Sequence, residues 1–309
     1  MKINWLILLL VLPMLGNAQI SEEHYKIYSV EKGKEVKLKD IIKAIKDADV
    51  LFFGEEHNDS VGHYLEHTIF TMMYDKYGEQ VALSMEMFDR DVQLVMDEYL
   101  KHDIRERNFK KDAKVWSNYK DYRPMVEFAR EKGLDVVCAN ASSRYTNLVG
   151  RKGQDALLAL SEDAKRFIAP LPYEVASGPY YDKLMSFMSG GAHDPNDTTK
   201  QEQAVSHFGG FDLLSAPSLW DATMAWSIAN YLSQHEGRKV FQVNGRFHSD
   251  QGFAVVTQLN NYRPDLKSVV ISSGTEDDFN DPDWTKYEKN GDFIIITDPD
   301  VPRTYESSF

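Results

Sequence analysis

Val50-Leu51-Phe52-Phe53-Gly54-Glu55-Glu56-His57 is a run of four apolar residues that breaks at a glycine into two acids and a histidine. A short continuous apolar run bounded by a turn residue is the pattern of a strand buried on both faces, as in a parallel sheet. Three further segments repeat it: Val81 to Ser84 runs on to Glu86, Leu134 to Val137 runs on to Asn140, and Val240 to Val243 leads into Gly245-Arg246-Phe247-His248. In open α/β sheets the crevice outside the carboxyl ends of the strands is where ligands bind. The pattern therefore gathers Glu55, His57, Glu86 and His248 at one sheet edge.

Helical periods fill the gaps between these runs. Val61 to Tyr77 places Leu65, Ile69, Met72 and Met73 on one side, with His63 and His67 four apart on another. Asp91 to His102, Tyr122 to Lys132 with Pro124 in its first turn and Gly133 at its end, and Ser218 to Tyr231 read as helices, and strands recur near Val269 and Ile294. The alternation predicts an α/β fold, a mostly parallel sheet covered by helices on both faces. Between Arg151 and Ser215 the pattern loosens: Ala156 to Ile168 reads as a helix, but Pro170, Pro172, Gly178, Pro179 and the stretch 189–195 break any regular period beyond it. An irregular helical lobe inserted at about 151–215 of a single domain, 19–309, is the expected organisation.

At 309 residues, with 42% hydrophobic and 27% charged content, the chain is long enough to bury a full core. Its formal charge of -13 repels phosphate backbones, so nucleic acid is not an expected partner. Lys2, the apolar stretch Ile3 to Leu12 and the small-residue sequence Gly16-Asn17-Ala18 read as a secretory signal cleaved after Ala18, too short to span a membrane at about 20 residues. Its removal takes away one Lys and no acid, moving the charge from -13 to -14. No cysteine stands at position 19, so no bacterial lipid anchor is expected and the exported form would be periplasmic. Cys138, the one cysteine, lies in an apolar run and reads as a buried inert thiol.

His57 follows a strand and a glycine, so its imidazole would face the crevice, with Glu55 placed to fix its tautomer; Asn58 or Asp59 is the better helix cap. Glu86 ends an apolar strand and, if buried, must be satisfied by a cation, a donor or its own proton. Asp221 reads equally as a further site acid or as a helix-start cap beside Ser218. Glu55, His57, Glu86 and His248 form the candidate catalytic set, and His57, Glu86 and His248 are two imidazoles and a carboxylate suited to a divalent metal. His63 and His67 offer a second metal-type spacing. No Gly-x-Ser-x-Gly elbow supports a serine nucleophile, and no Cys-x-x-Cys-His supports covalent haem.

Taken in order, Gly54-Glu55-Glu56-His57 with His63, Glu86 to Gln93, Tyr122-Arg123-Pro124, Ala139-Asn140, Asp221 to Ala225 and Gly245-Arg246-Phe247-His248 resemble the ChaN-like haem-binding uptake family, over about Val50 to Val256. That family is similar in turn to the superfamily of Tiki-type metalloproteases and erythromycin esterases. The resemblance implies an exported bacterial protein that binds haem for iron acquisition. It also implies tyrosine as the iron ligand, haem held cofacially across a homodimer, and an outer-membrane haem receptor as a further partner. Two departures are the missing lipidation cysteine and a bulkier turn at Asn244-Gly245-Arg246-Phe247-His248. For a haem held this way, the lobe offers Tyr173, Tyr180, Tyr181, His193 and His207 as ligands and Lys183 for a propionate, with Met185, Phe187 and Met188 to line a slot. A binding protein is the first expectation; a hydrolase in which His57 or His248 activates water, assisted by Glu55 and Glu86, is the alternative.

Overall fold

The computed structural model describes residues 20–188 and 212–306. The segment 1–18, His193 and His207 lie outside the described residues. Strands β1 (Tyr25–Ser29), β2 (Lys34–Glu35), β3 (Val50–Glu55), β4 (Val81–Asp89), β5 (Val136–Asn140), β6 (Lys239–Gly245), β7 (Ser268–Thr275) and β8 (Phe293–Thr297) form one sheet in the order β2-β1-β8-β7-β3-β6-β4-β5. From β8 to β5 all neighbours are parallel; β1 and β2 add an antiparallel edge.

The helices are α1 (Leu38–Ala44), α2 (Ser60–Tyr77), α3 (Gln93–Leu100), α4 (Glu106–Asp112), α5 (Tyr119–Lys132), α6 (Ser143–Lys152), α7 (Glu162–Lys165), α8 (Gly178–Met188), α9 (Ser215–Gln234) and α10 (Val255–Tyr262). Successive strand side chains point to opposite faces, and β3 uses both. Leu51 and Phe53 join a core with Leu65, Ile69 and Met73 of α2 and Met125 and Val126 of α5. Val50 and Phe52 join another with Met224, Ala225 and Ile228 of α9 and Val255 and Leu259 of α10. Burial on both faces is why these strands read as continuous apolar runs.

Chain direction across the sheet reverses at its middle. From β3 the chain steps past the future position of β6 to β4 and then outward to β5; it returns as β6 between β3 and β4, then crosses to the far side of β3 as β7. Such a reversal opens a crevice at the strand ends, and it falls between Glu55 of β3 and Gly245 of β6, which are paired in register.

Local readings need three corrections. Ala156 to Ile168 is not one helix: a 3-10 turn covers Gln154–Ala159, Leu160 is extended, and the Ser161 side chain caps the short α7 by accepting from Ala164 N. Helix α5 begins at Tyr119, three residues early, so Pro124 sits in its second turn, not its first. Asp221 is not a cap, because α9 begins at Ser215 and carries Asp221 fully buried within it. Asp59 does cap α2, accepting from Val61 N, and Cys138 is buried with its thiol pushed well up by desolvation.

Candidate functional site

Glu55 ends β3 and is buried at 2% exposure. Its Oε1 accepts from the Tyr122 hydroxyl at 2.7 Å and from His57 Nδ1 at 2.8 Å. A carboxylate on Nδ1 leaves the His57 Nε2 edge for the crevice and fixes the tautomer. Trp116 sets its ring edge-on against the same imidazole, with centroids 5.3 Å apart. Burial would lower the His57 pKa, but the hydrogen bond to Glu55 and the charges of Glu86, Glu55 and Glu66 outweigh it and push it up to about 9.

Across the crevice His248 mirrors this arrangement. It ends the 3-10 turn Arg246–His248 after β6, and its Nδ1 lies 2.6 Å from Asp221 Oδ1. Asp221 Oδ2 accepts from the Tyr180 hydroxyl at 2.5 Å. Burial opposes charge on His248, yet Glu86 and Asp221 raise its pKa. Between the two rings stands Glu86, where a register irregularity in β4 between Met85 and Asp89 interrupts pairing with β5. Glu86 Oε2 accepts from Gly245 N at 2.7 Å, and its Oε1 lies 3.6 Å from His248 Nε2. Gly245 is small for a reason of space: a Cβ there would sit 2.8 Å from His57 Nε2. Glu55, His57, Glu86 and His248 are thus brought together as the strand ends implied.

A cavity of about 840 Å³ lies over these groups. Glu55, His57 and His248 line its polar floor, and Leu184, Phe187, Met188, Trp220 and Phe247 its apolar wall. Lys183, Arg246 and Lys286 add positive charge, and Tyr287 also lines it.

The lobe residues fare differently. Tyr173 packs into the core: it is buried, does not line the cavity, and its hydroxyl donates to Ser215 O at 2.9 Å. Tyr180 does not face the cavity but a smaller neighbouring pocket, and burial beside Asp221 pushes its hydroxyl pKa far up. Tyr181 is half-buried and is likewise not among the residues lining the cavity. Lys183 does line it, but its ammonium donates to Phe247 O at 2.9 Å and Asp250 O at 3.2 Å, bracing the turn that carries His248; burial lowers its pKa to about 8. Met185 is buried rather than lining the slot, whereas Phe187 and Met188 do line it.

His63 and His67 do not form a pair. His63 is buried against Glu55 and Glu66, whereas His67 packs edge-on against Phe128. Among the described residues the compact metal-type group is Glu55, His63 and Glu66, whose ligand atoms all lie within 4.8 Å of one another. It sits below the crevice set His57, Glu86 and His248 and shares none of those residues. Sequence reasoning overlooked Glu66, Tyr122 as the donor to Glu55, and Tyr287. For Glu66 a signal existed: His63 and Glu66 are three apart on a helix that starts at a strand end, a spacing that places them on one face.

A family model for haem-binding uptake, Tiki superfamily, ChaN, matches residues 41–259. No curated protein matches the chain. Among solved structures, ChaN of Campylobacter jejuni with cofacially bound haem is similar at 18% identity and a TM-score of 0.66, covering 89% of this chain and 98% of that one. An erythromycin esterase mutant in its open conformation aligns at 11% identity and a TM-score of 0.47, over 89% of this chain and 83% of that one.

Proposed function

The chain belongs to the haem-binding uptake family of the Tiki superfamily, ChaN, and from that premise we propose that it is an exported haem-binding protein serving haem and iron acquisition. The observation that carries the reading is the cavity, whose chemistry fits haem on each count. Leu184, Phe187, Met188, Trp220 and Phe247 offer an apolar wall for a macrocycle. Arg246 and Lys286, with side chains 38% and 56% exposed, are cations able to meet propionates. A volume of about 840 Å³ is within the usual range for a small-molecule site.

Tyr287 is the tyrosine we assign as iron ligand, because it lines the cavity. A phenolate ligand has to lose its proton, and burial holds the hydroxyls of Tyr173 and Tyr180 in the opposite direction. With no Cys-x-x-Cys-His in the chain the binding is reversible, as delivery requires. Phe187, 72% exposed, and Met188, 40% exposed, stand at the mouth, where a second haem and a second subunit would cover them. The cofacial haem of the Campylobacter jejuni protein is consistent with that homodimer. Among the described residues no helix is long and apolar enough to cross a membrane; export and a periplasmic location rest on the reading of residues 1–18, and an outer-membrane haem receptor is the expected partner.

Haem titration followed by absorbance, with the mass of the complex recorded, tests the reading. Saturable binding with a tyrosinate-type spectrum and a shift to dimer is expected, and Tyr287→Phe should change the spectrum where Tyr173→Phe does not. Weak, unsaturated binding would overturn it.

A second reading has its own observation: both crevice histidines carry a carboxylate on Nδ1 and have Glu86 nearby, an arrangement able to activate a water at a pH above the raised imidazole pKa. As a hydrolase the protein should lose ester or peptide turnover in His57→Ala and in His248→Ala. Equal turnover in wild type and both variants would exclude it.

A further inference from the structure

Below the crevice floor, on the side of β3 covered by α2 and α5, His63, Glu55 and Glu66 converge, and with the His63 ring neutral no N–H lies between them. His63 Nε2 lies 3.2 Å from the main-chain oxygen of His57, and a carbonyl can only accept, so Nε2 carries the proton. In the neutral ring this leaves Nδ1 as a lone pair. That nitrogen faces Oε2 of Glu55 at 3.2 Å and Oε2 of Glu66 at 3.3 Å. Glu66 is fully buried, and its Oε1 has no hydrogen-bond partner; neither does Oε2 of Glu55. Among the described residues neither acid forms an ion pair to lysine or arginine. Buried acceptors in contact with one another need a cation or a shared proton among them, and a bound metal ion supplies that charge.

We propose that Glu55, His63 and Glu66 bind one divalent first-row transition-metal ion, of the zinc, manganese or iron(II) kind, in a buried site that shares only Glu55 with the crevice and is distinct from His57, Glu86 and His248. Four coordination positions at 2.0 to 2.2 Å around such an ion are separated by about 3.3 to 3.6 Å, and the two ligand separations from His63 Nδ1, 3.2 and 3.3 Å, fall at the short end of that range. One imidazole with two carboxylates suits these metals. The ion's two charges balance those of Glu55 and Glu66.

The surrounding shell is also in place. Metal-binding histidines donate their second ring N–H to a carbonyl or carboxylate; here His57 O accepts it, and Asp121 Oδ2 lies 4.0 Å away. Both donors to Glu55, the Tyr122 hydroxyl and His57 Nδ1, fall on Oε1, which leaves Oε2 for the ion. Glu55 therefore connects the two levels: the carboxylate that holds the buried ion through one oxygen orients the crevice imidazole of His57 through the other. The role of the ion is structural, fixing Glu55 and through it His57, and it does not depend on what the crevice holds.

The test uses the purified full chain stripped with a chelator and titrated calorimetrically with Zn²⁺ and with Mn²⁺. One saturable site is expected, with affinity more than ~100-fold weaker in Glu66→Gln and in His63→Gln and a rise in melting temperature on loading that both variants lose. Because either variant could perturb the fold, X-ray absorption of the zinc-loaded wild type supplies a check that needs no substitution. One imidazole in the coordination sphere supports the site. Two imidazoles would put the ion on His57 and His248 and overturn it, as would retention of binding in Glu66→Gln, and as would the absence of saturable binding.

Discussion

His248 Nδ1 lies 2.6 Å from Oδ1 of Asp221, a residue of α9 buried in the helix interior and 27 positions earlier in the chain. The same carboxylate receives the Tyr180 hydroxyl, so Asp221 holds a crevice histidine and a lobe tyrosine together. Asp221→Asn preserves volume but can serve only one of these donors through its single oxygen. A lost charge-assisted hydrogen bond costs about 2 kcal/mol, which urea unfolding will register. The Asp221 charge also helps to raise the His248 pKa. NMR titration of the His248 ring should show that pKa fall in Asp221→Asn; an unmoved value would mean the pair does not set the state of the imidazole.

The strand ends were legible because physical necessity writes them plainly. A strand covered on both faces has to be apolar throughout, so the first polar residues after Phe53 and Val243 mark where burial by helices stops. Glu66 was not legible in the same way. On α2 it occupies a position that reads as solvated, and it is fully buried beneath α5, whose Asp121 and Tyr122, about 55 positions later in the chain, face it. Asp221 misled for a related reason: Ser218 looks like a cap, but its hydroxyl donates back to Leu214 O inside a helix that had already begun. The lobe was least legible, since the tyrosine facing the cavity, Tyr287, is far away in sequence from the tyrosine-rich stretch that drew attention.

Phe187 separates binding from stability. At 72% exposure it contributes little to the fold, so Phe187→Ala should shift stability by no more than about 0.5 kcal/mol. If its ring, stacked at a tilt 5.0 Å from Phe247, forms part of the haem slot, truncation removes about 1.5 kcal/mol of apolar contact. Haem affinity then drops roughly tenfold. Unchanged affinity would place the macrocycle away from α8.

Asp89, at the end of β4, supplies a pH dependence outside the crevice. Burial and the neighbouring charge of Asp91 raise its pKa from 3.8 to about 6. Between these values the folded state holds the proton more tightly than the unfolded one, so stability falls as pH rises through this window and the deficit remains at neutral pH. Because the group is partly solvated, the deficit is on the order of 1 kcal/mol. Asp89→Asn should flatten the slope between pH 4 and 6 and stabilise the protein at pH 7 in urea unfolding. An unchanged slope would assign the pH dependence to other groups.

Two glycines at the same edge should respond differently to alanine, and the contrast isolates the site from the fold. Gly245 has an ordinary backbone, φ -54 and ψ 133, so alanine carries no conformational penalty there. Its new methyl would meet His57 Nε2 at 2.8 Å and Cε1 at 3.0 Å. A half-exposed imidazole can swing aside, and in doing so it gives up its hydrogen bond to Glu55. At Gly54 the methyl would instead meet Arg246 Cα at 2.8 Å and Ser249 Oγ at 2.7 Å, where backbone has to move. Gly54→Ala should therefore lower stability by about 1–3 kcal/mol, as overpacking does. Gly245→Ala should leave the melting temperature within a few degrees of wild type and still change the His57 titration and the haem spectrum. Equal destabilisation by both would show that the glycine at 245 serves chain packing, and that His57 is not held against it as a working group.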